Sequence, residues 1–185
     1  MFRVLAILGL LLGLLAIVVH AVDARRRSAP ARDSDAAPLT RLQRFSLLLT
    51  ALGLLAMAAT GFLSAIGQGP GSLGGWLLWM HLSAAPLIVL GLSLMVLTWA
   101  ERCRFSLDGP APRRSLGWLG RFYFWMTAVL GLATILPMLL SMTPLFASEL
   151  QTTLYALHRY AALLLTMIGM GLAYLGFRAW RQGSQ

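Results

Sequence analysis

The strongest constraint on the fold is a set of five long apolar runs, each of the length that a helix needs to cross a bilayer. A transmembrane helix takes roughly 20 consecutive apolar residues. Of the 185 residues, 58% are hydrophobic and only 11% are charged, which excludes a water-soluble globular protein. The segments between the runs are too short for a soluble catalytic domain. The runs are Val4–Val22, Phe45–Ile66, Trp76–Ala100, Phe122–Thr143 and Thr153–Phe177.

We therefore expect an all-α integral membrane protein with five transmembrane helices. Residues 1–23 are predicted to form an extra N-terminal helix, residues 24–44 an Arg-rich cytoplasmic connector, and residues 45–181 a four-helix bundle. The first run also has the length of a cleaved signal peptide. Cleavage would leave Arg25 to Arg27 outside the membrane, whereas short Arg-rich loops stay on the cytoplasmic side, so we favour a retained helix.

The positive charge of the chain indicates its orientation. All 15 basic residues are Arg, the net charge is +9, and the arginines are dispersed among the spans rather than gathered on one face, so no nucleic-acid partner is expected. The Arg-rich segments 24–44 and 101–121 predict an outer N-terminus and a cytoplasmic C-terminus. The segments 67–75 and 144–152 contain no Arg, and Arg3 alone disagrees. The predicted location is the inner membrane of a bacterium.

An internal repeat relates the last four runs in pairs. Shifting the chain by 77 positions places residues 44–104 on residues 121–181 without a gap, so the bundle is predicted to consist of two repeated hairpins. Both hairpins start on the same side, which gives parallel repeats. The informative matches are Arg44–Phe45 with Arg121–Phe122, Thr50–Ala51 with Thr127–Ala128, Leu63–Ser64 with Leu140–Ser141, and His81 with His158.

The repeat pairs two intramembrane histidines. His81 and His158 each lie five residues into an inward-running helix, about 7–8 Å from its outer end. Each alone is typical of an interhelical hydrogen-bonding residue, but the matched pair favours axial ligation of one haem b by two imidazoles. Cys103 is the single cysteine, so no c-type haem, disulfide or cysteine-based metal site is expected. Small residues on the same helix faces would make room for a macrocycle or allow close packing, namely Ala84, Ala85, Ala161 and Ala162.

Other polar residues near this pair have two interpretations each. Arg159 is the only Arg well inside a run, and it either snorkels to the outer surface or neutralises a haem propionate. Tyr155 and Tyr160 are interpreted as interfacial aromatic residues rather than hydrogen-bond donors to a ligand. His20 lies at the opposite end of the first run and is not expected to join the site.

From about Arg41 to Arg181 the sequence resembles the cytochrome b subunits of membrane formate dehydrogenases and nickel–iron hydrogenases, a four-helix haem b family. The matching features are the Arg-Phe start of the second run, a histidine early in the third, the aromatic start of the fourth, and Leu157–Ala162 early in the fifth. Two haems are usual in that family. Where it has the ligands of the inner haem, this chain has Gln43–Ser46 and Leu172, so the resemblance implies that only the outer haem is kept.

The resemblance implies a redox relay. A periplasmic subunit with iron–sulfur or haem centres would exchange electrons with the haem, and the haem with membrane quinone. The chain would have no substrate chemistry of its own. A haem-free membrane scaffold or assembly subunit is the alternative, and a transporter is disfavoured because the runs contain no Asp, Glu or Lys. Besides membrane lipid, a neighbouring membrane subunit is expected to contact Gly9 and Gly13 in the first run.

Overall fold

The structure is a computed structural model that describes residues 2–26, 38–67, 74–105, 117–143 and 147–182. Five α-helices account for nearly all of these residues, and no strand occurs among them. All five helices are long and apolar enough to cross a membrane, which confirms the expected all-helical fold with five helices of spanning length. They are α1 (Phe2–Arg26), α2 (Arg41–Gly67), α3 (Gly75–Trp99), α4 (Trp118–Ser141) and α5 (Ser148–Gln182).

The second helix begins earlier than hydropathy alone predicts. Thr40 and Gln43 form a reciprocal capping box, in which the Thr40 N–H donates to Gln43 Oε1 at 3.1 Å and the Gln43 N–H donates to Thr40 Oγ1 at 3.2 Å. The cap starts α2 at Arg41, so residues 41–44 are helical rather than part of the predicted 24–44 connector. Residues 27–37 of that connector lie outside the described residues.

Two hairpins form the bundle, α2 with α3 and α4 with α5. In the first hairpin the backbones touch at two glycines. A Cβ atom on Gly53 would lie 2.7 Å from the backbone N of Ile88, and one on Gly91 would lie 2.7 Å from the backbone N of Thr50. Glycine at both positions therefore allows the close approach of α2 and α3.

The two hairpins contact each other at two places where a leucine side chain packs against a glycine. Leu54 of α2 occupies the space beside Gly169 of α5, and Leu92 of α3 occupies the space beside Gly131 of α4. A shift of 77 positions carries Leu54 to Gly131 and Leu92 to Gly169, so each contact is the counterpart of the other with its large and small residues exchanged.

The bundle differs between its two ends. We call the histidine end the one where α1 begins, α2 and α4 end, and α3 and α5 begin; the other is the arginine end. The arginine end contains a packed hydrophobic core, in which Trp99 and Phe124 are fully buried and Leu172 is only 3% exposed. The buried residues of this core are Leu39, Leu47, Leu92, Met95, Trp99, Cys103, Phe124 and Leu172.

The extra helix α1 packs mainly on α5. A Cβ on Gly9 would lie 3.2 Å from Met167 Sδ and 3.5 Å from Leu163 Cδ1, and Gly13 also faces Met167. The small-residue face that we expected to contact another subunit is therefore occupied by α5 of the same chain. The large aliphatic side chains on the rest of α1 are exposed, as expected for a surface in contact with lipid.

Candidate functional site

The two histidines of the repeat meet across the hairpins. His81 of α3 and His158 of α5 have ring centres 6.5 Å apart and ring planes at 81°. The sequence predicted that these side chains face each other, and the structure brings them together. His20 lies elsewhere, with its Nδ1 3.1 Å from the Tyr174 hydroxyl of α5 near the arginine end.

Each of the two rings is held by a hydrogen bond at its Nδ1 atom. His158 Nδ1 lies 2.9 Å from the carbonyl oxygen of Thr134, which can only accept, so this nitrogen carries the proton. His81 Nδ1 lies 2.8 Å from Thr60 Oγ1. The Thr60 hydroxyl donates its own proton to the Ala56 carbonyl at 2.8 Å, so it accepts from His81. The proton on Nδ1 of His158 leaves Nε2 of the neutral ring unprotonated, and the same holds for His81 when Thr60 accepts its Nδ1 proton; this is the usual arrangement of a metal-binding imidazole.

A cavity of about 860 Å³ surrounds the rings and is lined by residues of all five helices. This volume is within the range of about 300–1,000 Å³ typical of sites for small molecules and cofactors. Its floor is a small apolar cluster of Leu54, Ile88 and Leu165. Gly61 keeps space beside the His81 ring, because a Cβ there would lie 3.4 Å from Cε1 of that ring.

The four alanines near the histidines divide between the two expected roles. Ala85 and Ala162, each four residues after its histidine, line the cavity. Ala84 and Ala161 are buried, each 5% exposed, and are not among the lining residues. One alanine of each pair therefore provides space beside the ring, while the other serves helix packing.

Arg159 and Tyr155 line the cavity, as does Phe2 at the start of α1. Among the described residues, the Arg159 guanidinium makes no hydrogen bond or ion pair. Tyr160 instead packs edge-on against Phe2, with ring centres 5.5 Å apart, and is 42% exposed. This position agrees with its interpretation as an interfacial aromatic residue.

Sequence reasoning missed the hydrogen-bond partners of the histidines and one unsatisfied hydroxyl. Thr60 was not singled out, because threonines in membrane helices commonly bond to the preceding turn. The partner of His158 is the backbone carbonyl of Thr134, which no side-chain pattern indicates. Ser64 also lines the cavity, is only 2% exposed, and its Oγ has no partner among the described residues. The sequence feature that could have drawn attention to Ser64 was its match with Ser141 in the repeat.

The spacing of the rings fits one metal ion between them. A metal–imidazole bond is about 2.0 Å long and the ring centre lies about 1.1 Å behind the nitrogen, so imidazoles on opposite sides of one ion have centres about 6.2 Å apart. The observed separation is 6.5 Å. The described residues contain no group of three or more His, Cys, Asp or Glu side chains. Two imidazoles leave most coordination positions of an iron ion open, and a macrocycle such as that of haem would fill the remaining four equatorial positions.

Of the positions that the resemblance relates to the inner haem ligands, Gln43, Ser46 and Leu172 are buried among protein groups, whereas Phe45 is exposed. Leu172 belongs to the core of the arginine end. Gln43 is buried, and its Nε2 donates to the Thr98 carbonyl at 2.9 Å while its Oε1 accepts from Arg102 at 2.8 Å. These residues offer neither metal ligands nor space to a second macrocycle.

Comparison with protein-family models, curated proteins and solved structures finds no match for this chain. Its function is therefore inferred from the geometry of the cavity.

Proposed function

We propose that this protein is a membrane-embedded b-type cytochrome that holds one haem b between His81 and His158. The observation that carries the proposal is the pair of imidazoles, 6.5 Å apart, each anchored through Nδ1 so that Nε2 is free. A haem-free scaffold would need neither the matched Nδ1 hydrogen bonds nor a cavity around the rings. The cavity is mostly apolar, which suits the body of a porphyrin.

When bound, haem supplies one-electron transfer, and the protein residues set its position and environment. Thr60 and the Thr134 carbonyl orient the two histidines through their Nδ1 protons. The aliphatic floor separates the cavity from the arginine end. The filled core of that end supports one haem site rather than the two that are usual in the resembled cytochrome b subunits.

The arginine distribution supports an orientation with the histidine end on the periplasmic side of a bacterial inner membrane. A periplasmic redox subunit with iron–sulfur or haem centres would then lie nearest the haem. Access for membrane quinone is supported by cavity-lining side chains of α3 and α4 that are exposed rather than covered by other helices. These are Leu82, Val89 and Leu139.

A reduced-minus-oxidised absorption spectrum of the purified full-length protein tests the proposal. We expect sharp b-type α and Soret bands, with one haem per chain by pyridine haemochrome assay. His81→Ala and His158→Ala should each abolish the low-spin spectrum, because either change removes one of the two axial imidazoles.

The chain offers a matched control in His20, whose ring is hydrogen-bonded to Tyr174 outside the cavity. His20→Ala should leave the spectrum unchanged. A colourless protein from cells with ample haem would support the scaffold alternative. Two haems per chain would contradict the assignment of the arginine end as filled.

A further inference from the structure

Of the arginines whose side chains the structure describes, two lie at the histidine end. Arg159 lines the cavity beside His158, and the side chain of a helical residue leans toward the helix N-terminus, which for α5 is the histidine end. Arg3 is at the same end, because its Nε donates to the Ala65 carbonyl at 3.0 Å. The other arginines with described side chains lie toward the arginine end: Arg41, Arg44, Arg102, Arg104, Arg121, Arg178 and Arg181.

Arg3 is held next to the cavity by its neighbours. It follows Phe2 and is bonded to Ala65, and both of these residues line the cavity. Only its Nε is used in that bond, so the two terminal amino groups of the guanidinium remain as donors. The position of Arg3 in the sequence disagrees with the orientation rule for basic residues, and a role at the cavity would explain why the chain places a positive charge there.

Ser64 is a second, independent indication of a ligand at this end of the cavity. It lies four residues after Thr60, on the same face of α2 and about 6 Å further toward the histidine end. Serine in a helix usually bonds to a carbonyl of the preceding turn, as Ser93 does with Val89. The Ser64 hydroxyl is buried at the cavity and makes no such bond, which is costly unless a ligand accepts its proton.

The charge of the cavity specifies the chemistry of that ligand. Among the described residues, its lining includes Arg159 but no Asp, Glu or Lys. A guanidinium in an apolar cavity favours an anion, and the planar donors of arginine match a carboxylate. With Arg3 and Arg159 available, the histidine end can receive two carboxylates. Iron protoporphyrin IX carries two acid groups on one edge of its ring.

We propose that Arg3, Ser64 and Arg159 form a carboxylate site that binds the acid edge of the porphyrin, and that α1 is part of the ligand site because it supplies Arg3. This inference rests on the proposed haem binding and extends it. It assigns a binding role to the helix that is extra relative to the four-helix core, and it orients the porphyrin with both acid groups toward the histidine end.

The test compares two ligands that differ only at their acid groups. Full-length protein produced without haem is titrated in detergent with iron protoporphyrin IX and with its dimethyl ester, and Kd is obtained from the Soret band. We expect the ester to bind the wild-type protein about 10- to 100-fold more weakly, since hydrogen bonds to charged groups are each worth about a factor of ten or more.

Single-residue variants then show which residues recognise the acid groups. Arg3→Gln and Arg159→Gln should each weaken binding of the free acid about tenfold, and Ser64→Ala up to about tenfold, with little effect on the ester. Arg178→Gln is the matched control, because Arg178 is an exposed arginine near the end of α5. It should change neither affinity. Circular dichroism confirms that each variant is folded.

Comparing the binding of the free acid and of the ester to the wild-type protein tests the carboxylate site without any variant. Equal binding of acid and ester would overturn the carboxylate site while leaving haem ligation by the histidines intact. Variants that weaken the ester as much as the acid would overturn it too, by showing a purely structural role. Failure of both ligands to bind the wild-type protein would instead reject the proposed function, and the carboxylate site with it.

Discussion

Leu92 fills the space beside Gly131, and Leu54 fills the counterpart space beside Gly169. Each contact joins the two hairpins just below the cavity, so changes there should report on how the hairpins assemble. A methyl group added at Gly131 would overlap Leu92 Cδ2, and its next neighbour would be Leu92 Cγ at 3.5 Å. Gly131→Ala therefore forces Leu92 to move, while Leu92→Ala leaves a void.

The two changes should partly compensate each other. Overpacking in a well-packed core costs about 1–3 kcal/mol. Leu92→Ala should cost about 1–3 kcal/mol, below the usual range for a soluble core, because lipid is as apolar as leucine and mainly packing is lost. In the double variant the alanine methyl at position 131 enters the void. We expect the combined loss to be smaller than the sum by about 1–2 kcal/mol.

The free energy of unfolding can be measured by titrating the detergent-solubilised protein with sodium dodecyl sulfate while following circular dichroism. A second cycle with Leu54→Ala and Gly169→Ala should give a similar coupling, since a Cβ at Gly169 also overlaps a leucine Cδ2. The crossed pair Leu92 with Gly169 is the control and should be additive within about 0.5 kcal/mol. Additive behaviour in both contact pairs, or equal coupling in the crossed pair, would refute the packing described here.

Three further predictions concern separate parts of the chain. Burial raises the pKa of the Cys103 thiol to about 12 from 9.0, so a maleimide should label it in unfolded but not in native protein at pH 8. Because the unfolded thiol ionises first, this group should also reduce stability as pH rises from 9 toward 12, and Cys103→Ser should remove that slope. Thr60→Val removes the acceptor of the His81 Nδ1 proton and should weaken haem binding about 10- to 100-fold, whereas Thr60→Ser should retain it; equal affinities in a Soret titration would contradict that role. Gly53→Ala places a methyl group 2.7 Å from the Ile88 backbone N and should destabilise the protein by about 1–3 kcal/mol in the detergent unfolding assay, and an unchanged midpoint would show that α2 and α3 separate easily.

Hydropathy and the repeat were sufficient to predict the five helices and the meeting of His81 with His158. Both depend on periodic features that extend over the whole chain, so local irregularities do not obscure them. The start of α2 was placed too late, because the capping box of Thr40 and Gln43 consists of polar residues outside the apolar run. Helix ends depend on such individual hydrogen bonds, whereas helix existence depends on many residues.

The residues that surround the histidines were harder to predict from the sequence. Thr60 and Thr134 contact the rings from helices adjacent in space, and their spacing from His81 and His158 along the chain follows no rule. The contact of the Gly9 face with α5 was also not predicted, since a small-residue motif indicates close packing but not whether the packed helix belongs to the same chain.

The origin of the two histidines in different hairpins has a consequence for assembly. Each hairpin has its own internal contacts and can form in the bilayer before the two associate, as in two-stage folding. A ligand held by both rings binds only the associated form and stabilises it by an amount that rises with ligand concentration relative to Kd. Cofactor supply during biosynthesis would then determine how much of the chain matures and how much stays open to membrane proteases, so haem starvation should lower the cellular amount of the protein as well as its colour.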